Sequence, residues 1–547
     1  MSCWNIVEAT CQIAESPIGD SPALIHEETV LSYKELVQRA SGMASWMQSL
    51  QLPERSHVGH YMRNSTAYME TFTAAGLLGF GHVGINYRYL DEELTDLCNS
   101  LDIRVLVYDE EFAEHVAAIR PHLTETVGYI EVPQYVVDGK AGAQVAPVND
   151  FAVSITELYL RDTTGFTRKT SGDDLILLTT GGTTGLPKGT QWRHEDLWYK
   201  MKTSRGNGLG VLDLAEHPAS LEEHIANVLR IAPQQGFMLL SPLMHGAALL
   251  MAMVMIAQGA AVVTMSGKRF DAEATLEAVK QHNVGGLVLV GDAFAIPMTE
   301  ILDRRPEDEL IASMKMLVSS GATLSDACKA SFRKHNPGIV LFDTLGSSEA
   351  SSYAISTPEA GVFSPLATTR VLDENLQDVV PGSDTIGIAY SGGYTPIGYY
   401  KAPEKSAETF LDIDGQRYVK TGDRCTVRED GKIVLLGRDS TVINTGGEKV
   451  YTVEVERVII DHPSVSDALV VGLPHPRFGK MVAAVVQGPG LTAETIDVAG
   501  IQAHVREHLA DYKVPKQVFA IDDLKRAPNG KANYPFVQEF AECQLKA

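Results

Sequence analysis

Short apolar runs alternate with segments of helical period along most of the chain. RVLVYD (Arg104–Asp109), VGGLVLVG (Val284–Gly291) and KMLVSSGA (Lys315–Ala322) are continuous enough in apolar residues to predict buried strands. DAEATLEAVKQH (Asp271–His282), lying between such runs, repeats its apolar positions at helical spacing. The alternation predicts an α/β fold of layered helices and largely parallel sheets. The polar, acidic stretch Val211–Leu229 reads as an inserted helical excursion. Ala247–Met265, AALLMAMVMIAQGAAVVTM, approaches the length of a membrane span. Gln258-Gly259 breaks it, and the run that follows is short and β-branched. It therefore predicts a buried helix, a turn and a strand, with no transmembrane segment.

After Asp423 the texture changes. GKIVLLGRDSTVINTGG carries turn glycines and short strands, and VEVERVIIDHP opens a helical pattern. The boundary is expected near Arg438–Asp439. It separates a large N-terminal domain, 1–437, from a small α+β C-terminal domain, 438–547, of roughly 110 residues. No internal repeat or long low-complexity linker interrupts either part.

A chain of 547 residues exceeds one compact core. Its formal net charge of -23 repels phosphate backbones and argues against nucleic acid as a partner. Any anionic substrate must be attracted by local donors. The six cysteines include no CxxC pair, so neither a disulfide framework nor a zinc site is indicated, and a reducing cytoplasm is expected. The opening MSCWNIVEATCQIAE lacks the basic start and apolar core of a signal peptide.

The most informative string is LLTTGGTTGLPKGT (Leu177–Thr190). An apolar strand runs into Thr180, Gly181, Gly182, Thr183, Thr184 and Gly185, then Pro187 and Lys188. Glycine-rich turns present backbone N–H groups to an anion, and the hydroxyls and a lysine add donors. This is polyphosphate chemistry, but no GK[ST] follows the glycines, which disfavours an ordinary P-loop. The string resembles the signature loop of the adenylate-forming superfamily of acyl-CoA synthetases, adenylation domains and luciferases. It departs from that pattern at Gly181, where the family usually carries a serine.

Further segments extend the resemblance in a fixed order. SPLMHGAA (Ser241–Ala248) is similar to the segment whose histidine, here His245, stands between acyl pocket and nucleotide. Amino-acid-activating relatives place an aspartate in this region, and this chain has none between Ser241 and Ala248, which favours a neutral-tailed acid. VSSGATLS (Val318–Ser325) resembles the turn lining adenine, with Gly321 and Ala322. In LFDTLGSSEA (Leu341–Ala350) the resemblance implies Asp343, Thr344 and Leu345 at the nucleotide, with Leu345 where relatives often have an aromatic. It implies Ser348 on phosphate and Glu349 on Mg²⁺, with Thr183 as a second metal ligand. The implied acyl pocket comprises Met244, Ala247, Phe294, Ser320, Gly346 and Ser347, and whether Asp292 or Phe294 faces the substrate is left open.

By the same resemblance, YVKTGDRC (Tyr418–Cys425) and LLGRDS imply Asp423 and Arg438 at the ribose and Asp439 at the family's hinge. VINTGGEKVYTVEVE (Val442–Glu456) resembles the loop of the thioester-forming step, with Gly446 and Gly447 at the pantetheine tunnel. RAPNGKANY (Arg526–Tyr534) makes a tight turn projecting Lys531, which the resemblance makes the adenylation lysine. The C-terminal domain is then expected to be mobile.

NYRY (Asn86–Tyr89) and TGGTTGLPKGTQWRHEDLW most resemble actinobacterial-type fatty acyl-CoA synthetases. The implied reaction takes a hydrophobic carboxylic acid, a medium- or long-chain fatty acid or a bulky steroid-type acid, to its acyl-AMP and then to coenzyme A. ATP, Mg²⁺ and CoA are the implied cofactors, and a homodimer is an admissible assembly. A stand-alone enzyme loading an acyl carrier protein is the alternative, although little chain follows Lys531. A catalytically silent acyl-nucleotide binding protein is a second alternative, opposed by intact Lys531, Glu349 and Asp423.

Overall fold

The computed structural model describes residues 4–142, 145–180, 187–202, 216–231, 234–321, 324–359, 361–438, 441–445, 448–475, 479–527 and 530–546. The chain packs as two compact units: Met1–Ser352 with Gly393–Val419, and Tyr353–Gly392 with Lys420–Ala547. Arg438, at the expected boundary, ends a strand that lies inside the second unit.

The first unit has two sheets. In one, parallel strands follow the order Val340–Ser347, Met316–Ser320, Gly286–Leu289, Phe237–Leu239, Val262–Thr264 and Pro22–His26. The other is eight-stranded, and parallel from Leu175–Thr180 through Gly81–Gly84, His57–Tyr61, Ile103–Asp109 and Gly128–Val132 to Val153–Ser154. Its other edge turns antiparallel through Lys188–Arg193 to Gly398–Tyr399. The apolar runs beginning at Arg104, Val284 and Lys315 therefore form strands, and Ala272–Gln281 forms the helix between two of them.

Two helices of this unit are buried almost all round, as their composition requires. Thr66–Leu77 is buried at every position, and Gly246–Ala257 from Ala248 onwards. The second helix belongs to the segment that approaches membrane length. It stops before Gln258, Gly259 turns the chain at φ +80°, and Val262–Thr264 enters the sheet. A Cβ at Gly259 would lie 2.7 Å from Val228, so both conformation and space demand glycine there. No helix among the described residues is long and apolar enough to cross a membrane. Within the acidic excursion, Leu221–Ile231 is helical and buries Leu221, His224, Ile225 and Val228.

The second unit carries strands ordered Thr369–Leu372, Gly387–Ser391, the part of Gln416–Val427 from Lys420 onwards, Ile433–Arg438 and Val362–Pro365. Its other sheet is built on the long antiparallel pair Asp467–His475 and Gly479–Gln487. Strand alternation divides its side chains between two cores. Val470, Val482 and Val486 pack with helices Thr452–Ile460 and Val498–His508. Leu469, Val471 and Val485 pack with helix Tyr534–Lys546. Burial on both faces explains the unbroken apolar reading of ALVVGL. The described cysteines are unpaired thiols, four of them buried.

The first unit also buries imidazoles. His60 and His82 lie 4.5 Å apart between ring centroids, and Tyr68 Oη is 3.2 Å from His82 Nε2. Burial pushes His60 down to about 4 and His194 to about 3, and holds His82 well below its ordinary value. Each stays neutral when folded but protonates near pH ~6.5 when unfolded. Stability therefore falls as pH drops below ~6.5, until the folded imidazoles also titrate. Asp109, pushed up to about 8 by burial, acts in the opposite sense, so the comparison must be between variants. His82→Phe should make the decline between pH 6.5 and 5 shallower by up to ~1.4 kcal/mol per pH unit. Urea unfolding at a series of pH values measures this, and parallel wild-type and variant curves would refute it.

Candidate active site

Parallel strands end together, and ligands of open α/β sheets gather at their carboxyl ends. Met316–Ser320 and Val340–Ser347 pair with Ser319 beside Asp343 and Ser320 beside Thr344. Leu345, Gly346 and Ser347 continue past that pair, and all three are half-buried. Gly321 follows Ser320 at φ +95°, and Gly291 follows the neighbouring strand at φ +61°. The Gly291 amide donates to Ser319 Oγ at 3.0 Å, tying two strand ends together. Asp343 is buried, and both its oxygens are engaged within the protein. Oδ1 accepts from the Leu324 amide at 2.9 Å, and Oδ2 pairs with Lys329 Nζ at 2.7 Å. Asp343 thus braces the strand end, whatever else it contacts. Ala322 lies outside the described residues.

Ser348 and Glu349 follow. Trp192 Nε1 donates to the Ser348 carbonyl at 2.7 Å, and Tyr399 Oη donates to Glu349 Oε1 at 2.9 Å. Tyr399 sits opposite Thr190 on the strand that begins at Lys188. The Lys188 ammonium lies 5.8 Å from the Tyr399 ring centroid. Burial and the adjacent Glu349 carboxylate push the Tyr399 phenol up, so it remains a neutral donor. The structure brings Lys188, Ser348 and Glu349 together through Trp192 and Tyr399, two aromatic residues that the sequence reading missed. Gly181, Gly182, Thr183, Thr184 and Gly185 and the Thr180 side chain lie outside the described residues.

His245 caps the buried helix Gly246–Ala257, and its carbonyl accepts from the Leu249 amide at 3.1 Å. The turn before it is clamped by Asn64, which donates to the Ser241 carbonyl at 3.2 Å and accepts from the Leu243 amide at 2.8 Å. Met244 is buried, and Ala247 is half-buried. A Cβ on Gly84 would come within 2.8 Å of the Met244 carbonyl, so glycine lets that strand end approach the turn. Asp292 accepts from the Ser325 amide at 2.8 Å, and burial raises its carboxyl above the ordinary range. The Phe294 ring packs on Phe270 at 4.8 Å within the hydrophobic core.

In the second unit, Asp423 and Arg438 are opposite each other on paired strands. Arg438 Nε donates to Asp423 Oδ1 at 3.0 Å, and Tyr353 Oη donates to Oδ2. Asp423 is buried and Arg438 exposed, so the pair presents a fixed carboxylate beside an exposed guanidinium. A carboxylate keeps acceptor capacity after two such bonds.

The exposed Lys531 ends a tight turn. Its carbonyl accepts from the Ala527 amide at 2.9 Å, and the Gly530 amide donates to the Ala527 carbonyl at 2.7 Å. Arg526 grips Asp467 through two bonds of 2.6 and 2.7 Å and donates to the Gly530 carbonyl at 3.3 Å. Beneath it, Tyr534 donates to Glu456 at 2.9 Å. Burial pushes Glu456 up to about 7. Arg526 and Tyr534 stand in the RAPNGKANY string, but their partners are some sixty or more positions away and carry no local signal. Asp439, Gly446 and Gly447 lie outside the described residues.

Gly346 offers a direct structural test. A Cβ there would meet the Ser351 carbonyl oxygen at 2.6 Å, and a backbone atom yields little. Gly346→Ala should destabilise the protein by about 1–3 kcal/mol. Calorimetric scanning should show a lower unfolding midpoint, and an unchanged one would mean that the strand end moves freely.

Comparison with known proteins agrees with this layout. The AMP-binding enzyme family matches residues 12–400, and the AMP-binding enzyme C-terminal domain matches residues 454–531. A medium/long-chain-fatty-acid–CoA/3-oxocholest-4-en-26-oate–CoA ligase of Mycobacterium marinum is 34% identical over 96% of this chain and 95% of its own. A 3-oxocholest-4-en-26-oate–CoA ligase of Rhodococcus rhodochrous is 32% identical over 95% of this chain and 93% of its own. The fold is that of an anthranilate CoA ligase solved with anthranoyl-AMP, at TM-score 0.81 and 20% identity over 100% of this chain and 99% of that one. ATP-bound MatB from Rhodopseudomonas palustris superposes with TM-score 0.79 at 23% identity, over 99% of each chain. With both family regions matched and relatives about one-third identical over nearly the whole chain, the chain belongs to the AMP-binding enzyme family.

Proposed function

We propose that the protein is an ATP-dependent acyl-CoA ligase that converts a hydrophobic carboxylic acid to acyl-AMP, releases pyrophosphate, and transfers the acyl group to coenzyme A. The observation that carries this reading is the Lys188–Tyr399–Glu349 arrangement beside the strand end Thr344–Ser347. It combines a cation, a fixed carboxylate and small-residue backbone as polyphosphate chemistry requires. The mycobacterial and rhodococcal relatives, named as CoA ligases of fatty and steroid acids, support the choice of acceptor and substrate class. Met244 and Ala247, with no carboxylate between Ser241 and Ala248, suit an apolar acid.

Adenylation joins two anions, so its barrier is mainly charge and positioning. A carboxylate substrate is already ionised at neutral pH and needs no general base. Lys531 would neutralise the attacking carboxylate and the α-phosphate oxygen. Arg526 would hold the turn that presents it. Asp423 and Arg438 would orient the ribose, and Lys188 would bind the phosphates. Glu349 fits Mg²⁺, because Tyr399 fixes one carboxylate oxygen with a neutral donor and a hard cation prefers oxygen ligands. Mg²⁺ bound there, with Thr183 as the other proposed ligand, would supply charge neutralisation for the departing pyrophosphate. His245 would separate the acyl and nucleotide subsites.

The thiol then needs access to the acyl carbonyl. We assign this step to residues 438–547 acting as a small mobile domain, with Asp439 as hinge and Gly446-Gly447 lining the pantetheine path. Lys531→Ala should abolish acyl-AMP formation and spare thioester formation from supplied acyl-AMP. Equal loss of both half-reactions would refute that division. Gly447→Trp should leave pyrophosphate release intact and block acyl-CoA formation, whereas normal CoA turnover would remove the assignment.

The reaction itself is tested by pyrophosphate release over fatty, aromatic and steroid acids, with and without CoA, and mass spectrometry of the thioester. Release with fatty or steroid acids and an acyl-CoA product is expected. No release with any acid would sink the ligase reading.

A further inference from the structure

We propose that His504, Glu507 and His508, on the helix Val498–His508, form a binding site for a zinc-class divalent metal ion. The proposal is independent of the ligase reading. The sequence HVREH places the three side chains at i, i+3 and i+4, which share one face of a helix. One donor atom from each lies within 4.8 Å of the others. Donors of a tetrahedral zinc, bound at about 2.0–2.2 Å, stand a little over 3 Å apart, so modest rotamer adjustment closes the site.

The tautomers favour coordination. His508 Nδ1 is 2.8 Å from the His504 carbonyl oxygen, which can only accept. Nδ1 therefore carries the proton, and the Nε2 lone pair is left to bind. A metal-ligating histidine typically has its other nitrogen oriented in this way. His504 Nε2 is buried and has no hydrogen-bond partner among the described residues. A buried imidazole nitrogen without a partner is unfavourable, and a bound ion is one recognised explanation.

The surroundings fit as well. His462 packs edge-on against the His504 ring at 5.4 Å. The Ser464 hydroxyl and amide lie 2.9 and 3.3 Å from His462 Nδ1, which fixes the orientation of that ring. The three residues occupy the end of the helix, where its dipole favours cations. Two imidazoles and one carboxylate select a borderline ion such as Zn²⁺ over Mg²⁺ or Ca²⁺. Three protein ligands leave a fourth position for water or an outside ligand.

The test uses the full chain, stripped with a chelator and dialysed against Zn²⁺, with bound metal measured by elemental mass spectrometry. The expected result is one Zn²⁺ per chain, and Co²⁺ in its place giving the visible absorption of a low-coordinate site. His504→Ala and His508→Ala should each weaken binding at least tenfold, and the double variant should abolish both signals. Glu507→Gln should weaken binding less. Zn²⁺ should raise the thermal midpoint of the wild type but not that of the double variant, whose circular dichroism should match the wild type. Failure of the wild type to bind, or equal uptake by the folded double variant, would overturn the assignment.

Discussion

The buried pair of Lys329 and Asp343 sets the candidate site more than any other interaction. Asp343 occupies the register position beside Ser319, and its second oxygen holds the Leu324 amide. One carboxylate thus ties a strand, the helix Asp326–His335 and the intervening turn to a common point. Taking two charges from water is unfavourable, and removal of one partner from such a pair typically costs about 3–5 kcal/mol. Thr344, Leu345, Gly346, Ser347 and Glu349 follow in the chain from that point, so their placement depends on it.

The same economy recurs at the other candidate site groups. Each is held by a donor that stays neutral or by a guanidinium fork. Tyr399 holds Glu349, and Tyr353 holds Asp423. Arg526, gripping Asp467, steadies the turn at Lys531. A phenol raised by burial does not compete as an anion for a cation, so it can orient a carboxylate without cancelling its charge. Glu349 is half-buried and Lys531 exposed, while the phenols of Tyr399 and Tyr353 sit on buried residues.

A strongly acidic chain that handles anions must rely on such local arrangement. The net charge of -23 opposes phosphate at long range, so in the proposed reaction attraction would come from placed groups such as Lys188 and Lys531. The same field draws cations, in keeping with a metal site on the helix that bears His504 and His508.

The sequence by itself determined what depends on local period and order. Apolar runs of strand length, the helix–turn–strand reading of Ala247–Met265 and the ordered motifs from Leu177 to Lys531 were all legible there, because period and turn chemistry act over a few residues. Only the tertiary structure decided which partners hold those motifs. Tyr399 is 50 positions from Glu349, Tyr353 is 70 from Asp423, and Asn64 is 179 from Leu243. It also showed that Asp343 spends both oxygens inside the protein, and that Asp292 binds the Ser325 amide while Phe294 packs in the core. Such pairings arise from sheet register and core packing, which bring distant residues together and leave no mark on either neighbourhood of the chain.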